Sequence, residues 1–199
     1  MVNLDIVTIE DMLTQSVPVK TKGCMFCELD ESLIVEETSH FYLIKDKFPI
    51  SENHVMIISK EHFGCVGELP SSLFGQIHSL REKLVSYFKT PNFIGYEHGR
   101  AGHCVKLKGS EVTCHHMHLH YLPLEVNIRN ILKGNFTEKP IQLDDIKNHY
   151  ERYGEYLYFE DVNRQGFFYP AHLHVESHLL RTLVCASANL SHRSDWERL

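Results

Sequence analysis

The sequence predicts an α+β fold: a five-stranded antiparallel sheet, helices packed mainly on one side of it, and a C-terminal extension. Strand-like segments outnumber helical ones over the first 125 residues, and polar turns of hairpin length join several of them. One strongly amphipathic helix stands among them. Runs of strands with segregated helices, rather than regular strand–helix alternation, mark this class.

The elements follow in order. Residues 1–22 read as an arm ending in Val17-Pro-Val-Lys-Thr-Lys22, and Cys24-Met-Phe-Cys27 opens the compact region. Leu33-Ile-Val-Glu-Glu37 and Phe41-Tyr-Leu-Ile-Lys45 are consecutive strands around the turn Thr38-Ser-His40. After Pro49 and a polar break, His54-Val-Met-Ile-Ile-Ser59 makes a third, strongly apolar strand. From Ser71 to Phe88, Leu73, Ile77, Leu80, Leu84 and Phe88 recur at intervals of three and four, which builds one buried helical stripe. Pro70 and Ser71 supply its start and Pro91 its stop. Asn92-Phe-Ile-Gly-Tyr96 is the fourth strand and residues 116–122 the fifth, ended by Pro123. Beyond it lie a polar helix over Leu143–Tyr153, a short strand Tyr156-Leu-Tyr-Phe159, and a helix over Val175–Ala188 with Leu179, Leu180 and Leu183 inward.

Composition narrows the function. With 43% hydrophobic and 23% charged residues the chain is ordinary for a soluble globular protein. A formal net charge of −6 gives no support to sequence-independent binding of nucleic acid, so no nucleic acid polymer is expected as a partner. Met1-Val-Asn-Leu-Asp-Ile6 does not read as a secretory signal, and the longest apolar run, Val55-Met-Ile-Ile58, is strand-sized. No membrane partner and a cytoplasmic location are expected. Six cysteines in that setting read as reduced thiols or metal ligands rather than disulfides. Histidine is the outlier: of 15, four fall within residues 115–120 and three within 172–178.

Alternation fixes the geometry of residues 116–122. Successive strand side chains point to opposite faces, so His116, His118 and His120 share one face and Met117, Leu119 and Tyr121 the other. Imidazoles roughly 6–7 Å apart along a rigid strand can converge on one ligand or ion. His54, preceding an apolar strand, reads as a structural hydrogen-bonding group near that site. His172, His174 and His178 imitate the motif but sit at a helix edge and read as solvated.

His116-Met-His-Leu-His-Tyr-Leu122 resembles the alternating signature of the histidine-triad (HIT) superfamily, and the upstream CxxC, apolar strand and amphipathic helix occur in the same order. A bacterial, zinc-containing branch with an Glu-His-Gly motif is similar in Glu97-His-Gly99, Leu180-Arg181 and Asp195-Trp-Glu197. The resemblance implies a HIT-like catalytic domain over 23–124, preceded by the arm and followed by an extension over 125–199 that packs on it. It implies a nucleotidyl hydrolase or transferase, cleaving a P–N or P–O bond at the α-phosphate of a small nucleotide derivative. His118 would be the nucleophile, His120 would contact phosphate oxygens and Thr113 would stand near the leaving group. Asp46 would accept ribose hydroxyls, while His54, Glu97 and Gly99 would belong to the substrate site. Glu97-His-Gly99 stands where many relatives have Asn-x-Gly, and a carboxylate there repels phosphate unless Arg100 or Lys106 pairs with it. A homodimer with the sheet continued across the interface is also implied.

Cys24 and Cys27 by themselves read as a redox pair, half of a zinc site, or plain thiols; no βαβ context favours the redox reading. The resemblance adds His62 and His116, giving four ligands and a structural zinc without an open position. Two rivals to the enzyme remain at this level: a catalytically weak nucleotide-binding or scaffolding protein of the same fold, and a metalloenzyme with its metal on His116, His118 and His120.

Overall fold

A computed structural model describes residues 20–102, 105–110, 112–172 and 175–195, with the side chains of residues 105, 106 and 113 left out. Most of the expected arm and the Trp196-Glu197 part of the terminal motif lie outside the described residues. In chain order the strands are β1 (Ile34–Glu37), β2 (Phe41–Lys45), β3 (Val55–Ser59), β4 (Ile94–Gly99), β5 (Val105–Lys106), β6 (Thr113–Cys114), β7 (His118–Leu122), β8 (Lys139–Ile141), β9 (Tyr156–Glu160) and β10 (Gly166–Pro170). The helices are α1 (Phe74–Phe88), α2 (Arg129–Lys133), α3 (Ile146–Tyr153) and α4 (Leu179–Ser187), with single 3₁₀ turns leading into α1 and α3.

The main sheet is antiparallel and has eight strands in the order β1-β2-β3-β7-β4-β9-β10-β8, not the expected five. β5 and β6 form a separate two-stranded ribbon. The additional strands come from the C-terminal part, where β9 takes the outer edge of β4 in register Gly95↔Glu160 through Gly99↔Tyr156. β9 and β10 are buried along their whole length, with apolar or aromatic residues turned to both faces. Such strands need cover on both sides, so the expectation of helices mainly on one side is also corrected. α1 and α3 bury Ile77, Leu80, Leu84 and Ile146 against Leu43, Val55, Ile57, Leu119 and Tyr121 on one face. α2 and α4 bury Leu132, Leu180 and Val184 against Ile94, Tyr96, Leu157 and Phe159 on the other. A smaller cluster of Cys24, Phe26, Cys27, Ile44, Met56 and Ile58 covers the β2–β3 end of that second face.

Candidate active site and metal centre

β7 is shorter than expected, beginning at His118, and residues 115–117 before it are irregular. Here the Met117 amide donates to the Phe63 carbonyl at 2.7 Å, and the His116 ring reaches the Ser59 carbonyl and the Cys24–Cys27 turn. His118 and His120 remain side by side with ring centroids 5.0 Å apart, in register with Ile58 and Met56 of β3. His118 Nδ1 lies 2.6 Å from the His116 carbonyl oxygen. A carbonyl only accepts, so Nδ1 carries the proton and Nε2 presents its lone pair.

A second chain of bonds sets His120. The Ile50 amide donates to His54 Nδ1 at 3.2 Å, so the proton of neutral His54 is on Nε2 and donates to His120 Nδ1 at 2.9 Å. His120 is left with an N–H at Nε2. Burial lowers the pKa of His54 to about 4 and that of His120 well below its ordinary value, so both are neutral at physiological pH. Tyr96 stacks on His120 at 4.5 Å and 17°, and Phe26 stacks on His118 at 5.1 Å and 22°. Neither aromatic residue is flagged by the sequence pattern, because each looks like ordinary core.

The Phe26, His118 and His120 rings open onto a cleft of about 200 Å³. Its apolar wall is Phe26, Leu29, Leu33, Ile44 and Met56; Asp46, His118, His120, His178 and Arg181 bring the polar groups. Asp46 accepts from the Phe48 amide at 2.7 Å through Oδ1, and its Oδ2 lies 3.7 Å from His120 Nδ1 and 4.0 Å from Arg181 Nη1. His178, read as solvated, is a wall residue; His172 is exposed, and His174 lies outside the described residues. His54 stands behind His120 and borders a neighbouring groove instead.

Glu97 and Gly99 are not among the residues lining the cleft. On β4 the residues at 94, 96 and 98 share the histidine face, so 97 and 99 face the opposite side. The Glu97 carboxyl group is fully buried and accepts from the Val66 amide at 2.8 Å and from the Tyr156 hydroxyl. Burial raises its pKa to about 7. Arg100 pairs with Glu68, not with Glu97. A Cβ on Gly99 would stand 2.1–2.3 Å from the Tyr156 ring, so this glycine serves close packing. The motif's middle residue does face the histidine side: His98 donates from Nδ1 to the Ala101 carbonyl at 3.0 Å and accepts the Leu180 amide at 3.1 Å. Thr113 has no described side chain.

The four residues expected to hold zinc come together. His116 Nε2 donates to the Ser59 carbonyl at 2.9 Å, which leaves Nδ1 bare. That atom faces Cys24 Sγ at 3.6 Å, Cys27 Sγ at 3.6 Å and His62 Nδ1 at 3.2 Å, and Cys27 Sγ lies 3.2 Å from His62 Nδ1. Zinc at about 2.3 Å from sulfur and about 2.0 Å from nitrogen needs tetrahedral edges of roughly 3.3–3.8 Å. Lone pairs and sulfurs converging at these separations suit a cation at the centre, and the four ligands leave it no open position. The alternative centre on His116, His118 and His120 is not among the ligand groups the described residues form: His116 turns Nδ1 to the cysteines and Nε2 to the Ser59 carbonyl. Asp46, His54 and His120 also approach one another, but the Ile50 amide and Arg181 put positive groups beside them.

A lone-pair nitrogen beside a fixed N–H donor, above a partly apolar cleft that Glu28, Asp30 and Asp46 also line, is equipped for nucleophilic attack on an electrophile carrying anionic oxygens. Known proteins are similar to this chain over the same region. The HIT domain model matches residues 28–126. Adenosine 5'-monophosphoramidase HNT1 of Candida albicans is 30% identical over 114 residues, covering 51% of this chain and 70% of that protein. CWF19-like protein 1 of Pongo abelii is 24% identical over 193 residues, covering 88% of this chain and 34% of its own length. A HIT family hydrolase from Clostridium thermocellum is 26% identical, with 52% of this chain and 91% of that one covered and a TM-score of 0.36. The chain belongs to the HIT-domain family. It spans about a third or less of the length of the CWF19-like relatives it matches. Among the described residues no helix is long and apolar enough to cross a membrane.

Proposed function

We propose that the protein is a nucleotidyl hydrolase or transferase in which His118 Nε2 attacks the α-phosphorus of a nucleotide derivative. The observation that carries this reading is the 2.6 Å hydrogen bond from His118 Nδ1 to the His116 carbonyl, which orients the ring and stabilises the charge it gains on attack. The bond from phosphorus to the leaving group breaks as the P–N bond to His118 forms, and the leaving amine or alcohol takes its proton from solvent. His120 Nε2–H donates to a phosphoryl oxygen, worth more as charge builds there. Water or another acceptor then attacks phosphorus, releasing the nucleotide and restoring His118. Asp46 accepts the ribose hydroxyls and Thr113 serves the leaving group. Residues 23–124 carry the chemistry, 125–199 extend the sheet and wall the cleft, and a zinc ion on Cys24, Cys27, His62 and His116 fixes the segment that bears Phe26.

The substrate named for the Candida relative, an adenosine 5'-monophosphoramidate, makes the first probe. With a fluorogenic adenosine phosphoramidate, His118→Ala should lower turnover by at least about a thousandfold while leaving AMP binding in place. Binding without turnover by the wild type would leave the non-catalytic reading standing, and neither binding nor turnover across nucleoside phosphoramidates and dinucleoside polyphosphates would overturn the proposal.

A further inference from the structure

We propose that Arg181, carried into the cleft by the C-terminal helix, is the residue that makes the site select a phosphorylated nucleoside over a bare one. The inference rests on the nucleotide reading of the cleft and assigns one of its contacts. Arg181 is 5% exposed on α4, on the face buried with Leu180 and Val184. Its guanidinium is held in one plane: Nε and Nη2 donate to the Arg193 carbonyl at 3.1 and 2.8 Å, and Nη2 also donates to the Phe48 carbonyl at 2.8 Å. Neutral carbonyls thereby fix two of its nitrogens without bringing a negative charge to either.

Nη1 is the nitrogen left over. Its nearest charged neighbour among the described residues is Asp46 Oδ2 at 4.0 Å, beyond hydrogen-bond reach, and that oxygen is also 3.2 Å from His54 Nδ1. A buried cation with so loose a counter-charge favours an anion that can bond to it directly. The cleft is where such an anion enters, since Arg181 lines it together with His118 and His120. Lys45 and Lys47, also in its wall, are exposed and lack such a fixed geometry. The placement is built in from the other end as well, because His98 Nε2 receives the Leu180 amide and pins the turn that precedes Arg181.

AMP and adenosine, titrated calorimetrically, test this. Arg181→Met should weaken AMP by about 10- to 100-fold, the loss of a charge-assisted hydrogen bond, and weaken adenosine by less than about threefold. Equal weakening of both ligands would make Arg181 a staple between α4 and the Phe48 loop, and unchanged AMP affinity would overturn the proposal outright. A wild-type crystal soaked with AMP supplies the reading that does not depend on the variant folding. Nη1 should lie within about 3.2 Å of a phosphate oxygen, and a phosphate seated away from it overturns the proposal. AMP failing to bind wild type at all would instead remove the nucleotide reading on which the inference rests.

Discussion

Glu97 is a carboxyl group that burial raises to about 7, and on the other face of the sheet stand histidines that burial keeps neutral. These act on stability in opposite senses. Glu97 rises from 4.5 to about 7 on folding, so its contribution is full below pH 4.5 and is lost as pH climbs through 7. His54 and His98 fall from 6.5 to about 4, so their contribution is present above pH 6.5 and is lost as pH falls toward 4. Two histidines outweigh one carboxyl group between those limits, and the protein should lose stability on acidification. Glu97→Gln removes the opposing term. Its unfolding free energy, read from urea titrations at several pH values, should fall with acidification more steeply than wild type by about 1.4 kcal/mol per pH unit, one proton's worth. A parallel dependence in the two proteins would show that Glu97 is ionised in the fold.

At the scale of elements, the Cys24–Cys27 turn is the one that joins metal chemistry to the cleft. Phe26 is buried between the two cysteines and stacks on His118, so the turn that would hold zinc also places a wall of the site. Cys24→Ser should lower bound zinc, counted by elemental analysis, from about one per chain to well below that. It should also lower the melting temperature and weaken nucleotide affinity without touching His118. Full zinc occupancy in the variant would exclude Cys24 as a ligand. This part of the molecule was legible because CxxC and alternating histidines have sharp spacing. α1 was equally legible, since its one buried face gives a clear period of 3.6, and β1, β2 and β3 were legible as short apolar runs bounded by polar turns. β10 was not: Gly-Phe-Phe-Tyr-Pro is buried on both faces and shows no alternation. In α4 the sequence pointed inward with Leu179, Leu180 and Leu183, whereas the structure buries Leu180, Arg181, Val184 and Cys185, with the other two leucines only partly covered. An arginine on the inward stripe is invisible to a hydrophobic pattern, so Arg181 was legible only as part of the Leu180-Arg181 resemblance, with no place in the cleft attached to it. Glu97 and Gly99 illustrate the converse. Their motif was visible, but only the register of β4 against β7, with Tyr96 opposite His120, shows that they face away from the histidines. Gly99→Ala should accordingly destabilise by about 1–3 kcal/mol, through the clash with the Tyr156 ring, measured by chemical denaturation. A neutral effect would mean that the Tyr156 ring moves aside at no cost.

For the whole molecule, the eight-stranded sheet bears on assembly. A homodimer with a continuous sheet needs a free strand edge on each copy. In a five-stranded sheet β4 would offer one, but here β9 hydrogen-bonds along it from Gly95 to Gly99. The outer edges are poorly suited to replace it. β8 is only the three residues Lys139–Ile141, and Pro140 removes a donor from the middle of it. β1 carries Glu36 and Glu37, each paired with a lysine, and its register is broken between Ile34 and Glu36. Short strands, charges, proline and bulges are the means by which edges resist pairing. The chain should therefore run as a monomer in light scattering coupled to size exclusion at micromolar concentration, with the cleft completed by its own α4 rather than by a second copy. A dimeric mass, with hydrogen exchange showing protection of β1 or β8 that dilution removes, would mean that one of these edges pairs in spite of its defences.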